Sequence, residues 1–132
     1  MLGFGILKNG DFLLQKQKTY YRVVSSKDLL ISFLPFLEIN ANLIEEDFMS
    51  NNYDFYKIFP IEKIILTAFS GEGFNSFSIY WKELALNWIE DLKLNTPKIM
   101  KLLNEKSDRS YEGLPLNIKS RISKIKLQLL NS

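Results

Sequence analysis

The sequence predicts a mainly α-helical protein: a compact single-domain bundle of about five to six helices over residues 1–132, with an α+β fold as the alternative. Apolar residues recur at helical spacing over most of the chain after residue 25. Proline or an N-cap residue precedes several of these runs, as is typical of helix starts. With 46% hydrophobic residues in 132, the chain can bury a core without a disulfide or a metal.

The first 24 residues allow two interpretations. Asn9-Gly10 lies between apolar residues, and this dipeptide favours a type I′ hairpin turn because both central positions need positive φ. A two-residue turn there would place Leu7 opposite Phe12 and Ile6 near Leu13, and TYYRVV at residues 19–24 would add a third strand. The alternative is a pair of short helices broken at Asn9-Gly10.

Helical signals begin at residue 25. Ser25 and Asp28 have the spacing of a capping box before an apolar run, and Pro35 is expected to kink or end that helix. A short helix is predicted around Leu43–Phe48, followed by a turn at Asn51-Asn52.

Proline marks the later helices. Pro60 suits the first position of a helix with the sequence IEKIILTAF, which Gly71-Glu72-Gly73 ends. Thr96 is predicted to cap a helix that has Pro97 at its first position and runs to about Asn104, before a polar loop at residues 105–114. Pro115 opens the last helix, which extends to the C-terminus.

The central helix is predicted from about Ser76 to Leu94. At about 100° per residue, one side of this helix carries a continuous apolar arc that is expected to face the core. Ile79 and Leu86 lie apart from that arc, among charged residues, and need cover from another helix or from a partner. The arc consists of Trp81, Leu84, Ala85, Trp88, Ile89 and Leu92.

The residue inventory excludes most catalytic chemistry. The chain has no cysteine and no histidine, so Ser-His-Asp and Cys-His catalytic arrangements and the usual zinc ligand sets are impossible. The glycine pairs at Gly3/Gly5 and Gly71/Gly73 do not extend to a nucleotide-binding fingerprint. Adjacent acids on a helix point in different directions, so Glu45-Glu46-Asp47 does not predict a metal site. We expect a non-enzyme with no catalytic residue, no cofactor and no metal.

The sequence also carries no membrane or export signal. No stretch approaches the roughly 20 apolar residues of a membrane-spanning helix. The N-terminus MLGFGILKNG has too short an apolar run for a signal peptide. The expected location is the cytoplasm, with no membrane partner.

Charge is unevenly distributed along the chain. Residues 28–62 carry seven acids and one base, whereas residues 98–132 carry eight bases and three acids. Carboxylates beside aromatic residues can bind a basic protein, since charge raises the association rate and aromatic anchors slow dissociation. The acidic run from Glu38 to Asp54, with Ile79 and Leu86, forms the predicted partner site for a cationic protein. Its members are Glu38, Glu45, Glu46, Asp47, Tyr53, Asp54 and Tyr56, with Phe55 among the neighbouring aromatics. The alternative is an ordinary acidic loop whose aromatic residues pack into the core.

The last helix carries four bases and no acid over its length. Ile118, Ile122, Ile125 and Leu129 form its apolar stripe, and the bases are divided between the two flanks of that stripe. A surface that follows a phosphate backbone would group them. A solvated helix is therefore favoured over a nucleic-acid surface. The four bases are Lys119, Arg121, Lys124 and Lys126.

One part of the sequence combines a helix that follows a proline, a turn that contains glycine and a helix with two tryptophans, and a closing helix comes later in the chain. The first three occupy residues 59–92, FPIEKIILTAFSGEGFNSFSIYWKELALNWIEDL, and the closing helix begins LPLNIKSRI. In this arrangement, which covers about half of the chain, the sequence resembles small bacterial immunity proteins of polymorphic-toxin and contact-dependent growth inhibition systems. The resemblance implies tight binding to one toxin domain and occlusion of its active or functional surface. It assigns a role to no individual residue.

The functional expectation is a non-enzymatic, protein-binding inhibitor, namely an immunity protein whose partner is a cognate, cationic toxin domain. Because the net charge of the chain is +2, the acidic segment would attract such a partner locally. Two alternatives come from other classes. One is a small nucleic-acid-associated or regulatory module that uses the basic last helix, and the other is a structural subunit that buries its apolar surface against a copy of itself.

Overall fold

The computed structural model describes residues 2–6, 12–16, 19–23, 31–70, 78–108, 110 and 113–131. The described part of the chain is mainly α-helical, as predicted. After three N-terminal strands it forms a 3-10 helix at Ile31–Glu38 and six α-helices. These are α1 (Ala41–Ser50), α2 (Phe55–Ile58), α3 (Ile61–Ala68), α4 (Ile79–Leu92), α5 (Pro97–Ser107) and α6 (Leu116–Leu130).

The N-terminal segment forms an antiparallel sheet of three strands in the order β1-β2-β3, where β1 is Leu2–Ile6, β2 is Phe12–Lys16 and β3 is Thr19–Val23. The hairpin and its third strand are therefore confirmed, and the alternative helix pair is wrong. The predicted register is also wrong, because Phe12 pairs with Ile6 and not with Leu7. The observed register does not fit the two-residue turn predicted at Asn9-Gly10. Asn9-Gly10 lies outside the described residues.

Local capping signals fix two of the helix starts. The Asn40 side chain accepts a hydrogen bond from the Asn42 N–H at 2.9 Å, at the start of α1. Thr96 Oγ1 accepts from the Ile99 N–H at 3.4 Å, with Pro97 at the first position of α5, as predicted. Pro60 and Pro115 precede the first helical residue and do not occupy it, which corrects their predicted place by one position.

Three other predicted boundaries shift. Ser78 is extended, with ψ 158°, and Lys93 adopts the left-handed conformation, with φ 53°, so α4 is shorter at both ends than the predicted 76–94. The following helix, α5, continues to Ser107 and takes up the start of the predicted polar loop. The Gly71-Glu72-Gly73 break lies outside the described residues.

The segment around Pro35 differs from the predicted α-helix. The 3-10 helix Ile31–Glu38 contains Pro35 within it. Proline lacks the N–H that would close an α-helical turn and crowds the preceding one, and the chain passes it in the tighter 3-10 geometry. The capping box at Ser25 and Asp28 lies outside the described residues.

An aromatic cluster lies at the centre of the helical core. The Trp88 ring stacks on Phe59 at a centroid distance of 5.9 Å, and Phe59 stacks on Phe55 at 5.3 Å. Phe36 and Phe48 meet Phe59 edge-on. The cluster joins the 3-10 helix, α1, α2 and α4 into one core, because each of these elements contributes an aromatic ring to it.

The two tryptophans of α4 have different roles. Trp88 is fully buried, and its indole Nε1 donates to the backbone carbonyls of Leu37 at 3.1 Å and Ile39 at 3.2 Å. Trp81 is only half-buried at the edge of the core and lies edge-on to Tyr80. The core prediction is confirmed for Trp88, whereas Trp81 packs against the core from outside it.

Candidate functional site

The predicted acidic segment is centred on α1. Ala41 and Phe48 of this helix are buried in the core. At about 100° per residue, Leu43 and Glu46 point away from the core, with Asp47 and Met49 to either side. Leu43 is 60% exposed and Met49 is 47% exposed, so α1 shows apolar side chains among its acids.

Two tyrosines extend this surface beyond the C-terminal end of α1. The Tyr53 N–H donates to the Phe48 carbonyl at 2.9 Å, and its ring meets Phe48 edge-on. The Tyr56 hydroxyl donates to Glu45 Oε2. About half of each tyrosine side chain is exposed. We call the combined surface the α1 face. It consists of Leu43, Glu45, Glu46, Asp47, Met49, Tyr53 and Tyr56.

The Tyr56–Glu45 hydrogen bond fixes one carboxylate on the α1 face. Burial against the protein, then the hydrogen bond to Glu45 and the negative charge of Glu45, raise the pKa of Tyr56 to about 12. The phenol is therefore neutral and donates throughout the physiological range. Glu45 is half-buried, but Glu46 and Asp47 are exposed, so two carboxylates of the face are fully available to a partner.

A second tyrosine–carboxylate pair lies beside the N-terminal end of α1. The Tyr80 hydroxyl donates to Glu38 Oε2 at 2.9 Å, and this hydrogen bond is the main cause of a raised Tyr80 pKa. The Trp88 indole holds the carbonyls of Leu37 and Ile39, one on each side of Glu38. The core thus fixes the backbone that carries Glu38.

Sequence reasoning missed Tyr80, Leu43 and Met49 as members or neighbours of this surface. Tyr80 is 42 residues from Glu38 in sequence, and no local pattern links them. The exposure of Leu43 and Met49 could have been predicted from the sequence. A helical projection that places Ala41 and Phe48 in the core puts Leu43 on the opposite side of the helix and Met49 on its flank.

Three aromatic or apolar candidates do not belong to a free surface. Phe55 is fully buried in the aromatic cluster, so it is not a partner-facing neighbour of Asp54. Leu86 is also fully buried, and the cover that its position required comes from the same chain. Ile79 is half-buried and packs against the core. Leu86 is therefore removed from the predicted partner site, and Ile79 contributes little to it.

The remaining predicted acids are brought close to the α1 face by the chain itself. Asp54 is exposed and occupies the N-cap position of α2, between Tyr53 and Phe55. Glu38 ends the 3-10 helix, three residues before α1 begins. Glu45, Glu46 and Asp47 lie on α1 itself. Within the described ranges no three carboxylates are grouped as they would be to hold a metal ion.

The bases of α6 are not grouped into one surface. Arg121 is directed to α4, where its Nη2 donates to Asn87 Oδ1 at 2.5 Å and to Glu90 Oε1 at 2.9 Å. Its Nη1 donates to the Glu83 carbonyl at 3.3 Å. Lys119 is buried, Lys126 is half-buried and Lys124 is exposed. Arg121 therefore joins α6 to α4, and the burial of Lys119 leaves little of its side chain for an external polyanion.

A cleft beside Tyr56 also carries polar groups. Its floor is aliphatic and includes Ile61, Leu94 and Ile99. The carboxylate at its rim, Glu62, accepts a hydrogen bond from Thr96 Oγ1 at 2.5 Å and lies 3.9 Å from Lys98 Nζ. These contacts hold the start of α5 against α3, and Glu62 has no second carboxylate beside it in the cleft lining.

In the part of the chain that the structure describes, no helix has the length and apolar character needed to cross a membrane. A scan against protein-family models finds no matching family, and searches of curated proteins and of solved structures find no match. Among the described residues, the α1 face combines exposed carboxylates with large exposed apolar side chains.

Proposed function

We propose that this protein is a non-enzymatic inhibitor that binds a cationic protein through the α1 face, and that it acts as an immunity protein for a toxin domain. The observation that carries the proposal is the exposure of Leu43, Met49, Tyr53 and Tyr56 beside the carboxylates of one helix. Soluble proteins seldom group large exposed apolar side chains on one surface unless a partner covers them.

The composition of the α1 face suits a partner with lysine and arginine side chains. Tyrosine is enriched at protein interfaces because its ring gives apolar contact while its hydroxyl hydrogen-bonds. Glu46 and Asp47 provide exposed negative charge that speeds association with a basic protein. The hydrogen bonds Tyr56–Glu45 and Tyr80–Glu38 hold both pairs in place before binding, which reduces the entropy lost on association.

The toxin partner follows from the resemblance of residues 59–92 to immunity proteins. In that interpretation the α1 face covers the cationic substrate-binding or functional surface of the toxin, and inhibition is by occlusion. The core supports this mechanism, because the aromatic cluster under α1 gives the face a rigid base.

Co-expression with the toxic domain encoded by a neighbouring reading frame tests the proposal. We expect the wild-type chain to protect cells and to co-purify with that domain, and the double variant Glu46→Lys/Asp47→Lys to lose both effects. The matched control is Asp91→Lys, which reverses an exposed charge on α4 and is expected to protect fully. Failure of the wild-type chain to protect from or co-purify with any toxic neighbour would refute the immunity function.

The nucleic-acid alternative is less well supported, because Arg121 of α6 bonds to α4 and Lys119 is buried. Binding to a polyanion falls steeply with salt because counterions are released. Retention on a heparin column that falls steeply with salt, and that Lys124→Glu abolishes, would favour this alternative over the α1 face.

A further inference from the structure

Helix α6 has a second apolar stripe on the side opposite the core. Ile118, Ile122, Ile125 and Leu129 are buried. At about 100° per residue, Leu116, Leu127 and Leu130 lie on the reverse side of the helix. These three leucines are 75%, 59% and 61% exposed, respectively. A helix that is apolar on two opposite sides needs cover on both.

The outward stripe has the form of a groove for another helix. Leu116 and Leu130 are separated by about 21 Å along the helix axis, at about 1.5 Å per residue. Between them lie Ser120 and Ser123, whose small side chains leave a depression beside Leu127. Lys124 borders this depression and is exposed, and α6 carries no acidic residue. The surface therefore fits an apolar helix face that carries acids. We call it the α6 groove.

The chain itself contains such a helix. On α1, the exposed Leu43 and Met49 alternate with Glu46 and Asp47, and this helix is about 15 Å long. It is therefore shorter than the α6 groove and opposite to it in charge. Pairing α6 with α6 would instead bring Lys124 and Lys126 of two copies together with no compensating acid on either helix, which is unfavourable.

We infer that the protein associates with a second copy of itself, with α1 of one copy in the α6 groove of the other. The interaction is head-to-tail, because it joins two different surfaces. It is weak and strengthened at low salt, since it joins two short helix faces whose charges are exposed. Self-association also hides the α1 face, so it competes with partner binding; this consequence rests on the proposed function, whereas self-association itself does not.

Sedimentation of the purified chain alone tests the inference. We expect the average mass of the wild-type protein to rise with concentration, and to rise less in high salt. Two variants each remove one surface: Glu46→Lys/Asp47→Lys on α1, and Leu116→Ser/Leu127→Ser on the α6 groove. Each alone is expected to stay at the monomer mass. A mixture of the two is expected to form a 1:1 complex, because one copy keeps an intact α1 and the other an intact groove.

The mixing result separates this contact from other modes of association. All substituted side chains are exposed, so thermal melting and circular dichroism should match the wild type, and Asp91→Lys should self-associate normally. A wild-type chain that is monomeric at all concentrations would overturn the inference. So would self-association that survives in either variant, or a mixture that yields no 1:1 complex. If Glu46→Lys/Asp47→Lys still dimerises while the leucine variant does not, the contact joins two α6 helices.

Discussion

At the scale of single residues, Trp88 links the core to the candidate surface. Its ring stacks on Phe59, and its indole N–H holds the carbonyls on both sides of Glu38. Trp81 does not link the core to this surface, because it lies half-buried at the edge of the core. The two tryptophans of one helix should therefore respond differently to substitution.

We expect Trp88→Phe to lower the free energy of unfolding by about 1–3 kcal/mol, because the carbonyls of Leu37 and Ile39 lose their hydrogen-bond donor. Trp88→Ala should cost about 3–5 kcal/mol, the range for a large buried aromatic side chain. Urea denaturation measures both values. Trp81→Phe is the control and should cost clearly less than Trp88→Phe. Equal losses for the two phenylalanine variants would contradict the assignment.

The ionisation of Tyr56 gives a second test. Burial and the bond to Glu45 raise the pKa of this phenol to about 12, so the folded protein favours the neutral form. The corresponding stabilisation is complete below the ordinary tyrosine pKa of about 10 and is lost as pH rises through about 12. Carbon NMR of the tyrosine rings should show the Tyr56 pKa falling in Glu45→Gln. It should stay above its ordinary value, because burial persists. An unchanged pKa would show that Glu45 does not contact the phenol.

Residue identities allowed only part of this surface to be predicted. The acids at Glu46 and Asp47 were predictable, because charged side chains stay in water unless they are paired. Sequence could not separate Phe55, which is buried, from Tyr56, which is exposed, because adjacent residues in a one-turn helix point in different directions. Tyr80 reaches Glu38 only through the tertiary packing of α4.

At the scale of elements, the helix starts depend on local hydrogen bonds that can be tested one by one. Thr96 caps α5 through the Ile99 N–H, and its hydroxyl also donates to Glu62 on α3. Thr96→Ala should lower the free energy of unfolding by about 0.5–2 kcal/mol. Thr96→Ser keeps the hydroxyl and should recover most of that loss in urea denaturation. A Thr96→Ala protein as stable as the wild type would contradict this cap.

The contact between α4 and α6 depends on Arg121. Its guanidinium bonds Asn87, Glu90 and the Glu83 carbonyl, on three successive turns of α4. Because the pair with Glu90 is about one-third exposed, we expect Arg121→Ala to cost only about 1–2 kcal/mol.

Chemical denaturation measures the loss of unfolding free energy in Arg121→Ala. The control is Lys101→Ala, which breaks an exposed ion pair with Glu105 at 4.0 Å and should lower the free energy of unfolding by less than about 0.5 kcal/mol. Arg121→Lys should recover only part of the loss, since an ammonium cannot match the fork of the guanidinium. Similar losses for the two alanine variants would show that Arg121 does not join the helices.

The approximate starts and ends of the helices were predictable from sequence, because capping residues and prolines act on the backbone locally. Thr96-Pro97 and the turn at Asn51-Asn52 needed no tertiary information. The register of β1 on β2 was not predictable from Asn9-Gly10, since the observed pairing of Ile6 with Phe12 is not the one that a two-residue turn at this dipeptide produces. The need of Leu86 for cover was predicted, but whether that cover came from the same chain or from a partner was decided only by the tertiary packing, which buries Leu86 within the chain.

At the scale of the whole molecule, opposite charges are separated between two helices with different roles. The acids on α1 accompany exposed Leu43 and Met49, whereas Arg121 of α6 contacts α4 and Lys124 borders the α6 groove. The small net charge of +2 therefore hides a local acidic face. Under the proposed function, this local negative charge is what would attract a cationic protein to a chain that is slightly basic overall.

The association rate of the chain with the proposed toxin partner tests binding through the α1 face most directly. We expect the wild-type rate constant to fall as salt rises, and the rate constant of Glu46→Lys/Asp47→Lys to be at least about tenfold lower at low salt with little salt dependence. Tyr53→Ala should instead speed dissociation. Stopped-flow mixing, with Asp91→Lys as the control, gives these values. Equal association rates for the wild type and the α1 double variant at every salt concentration would contradict binding through the α1 face.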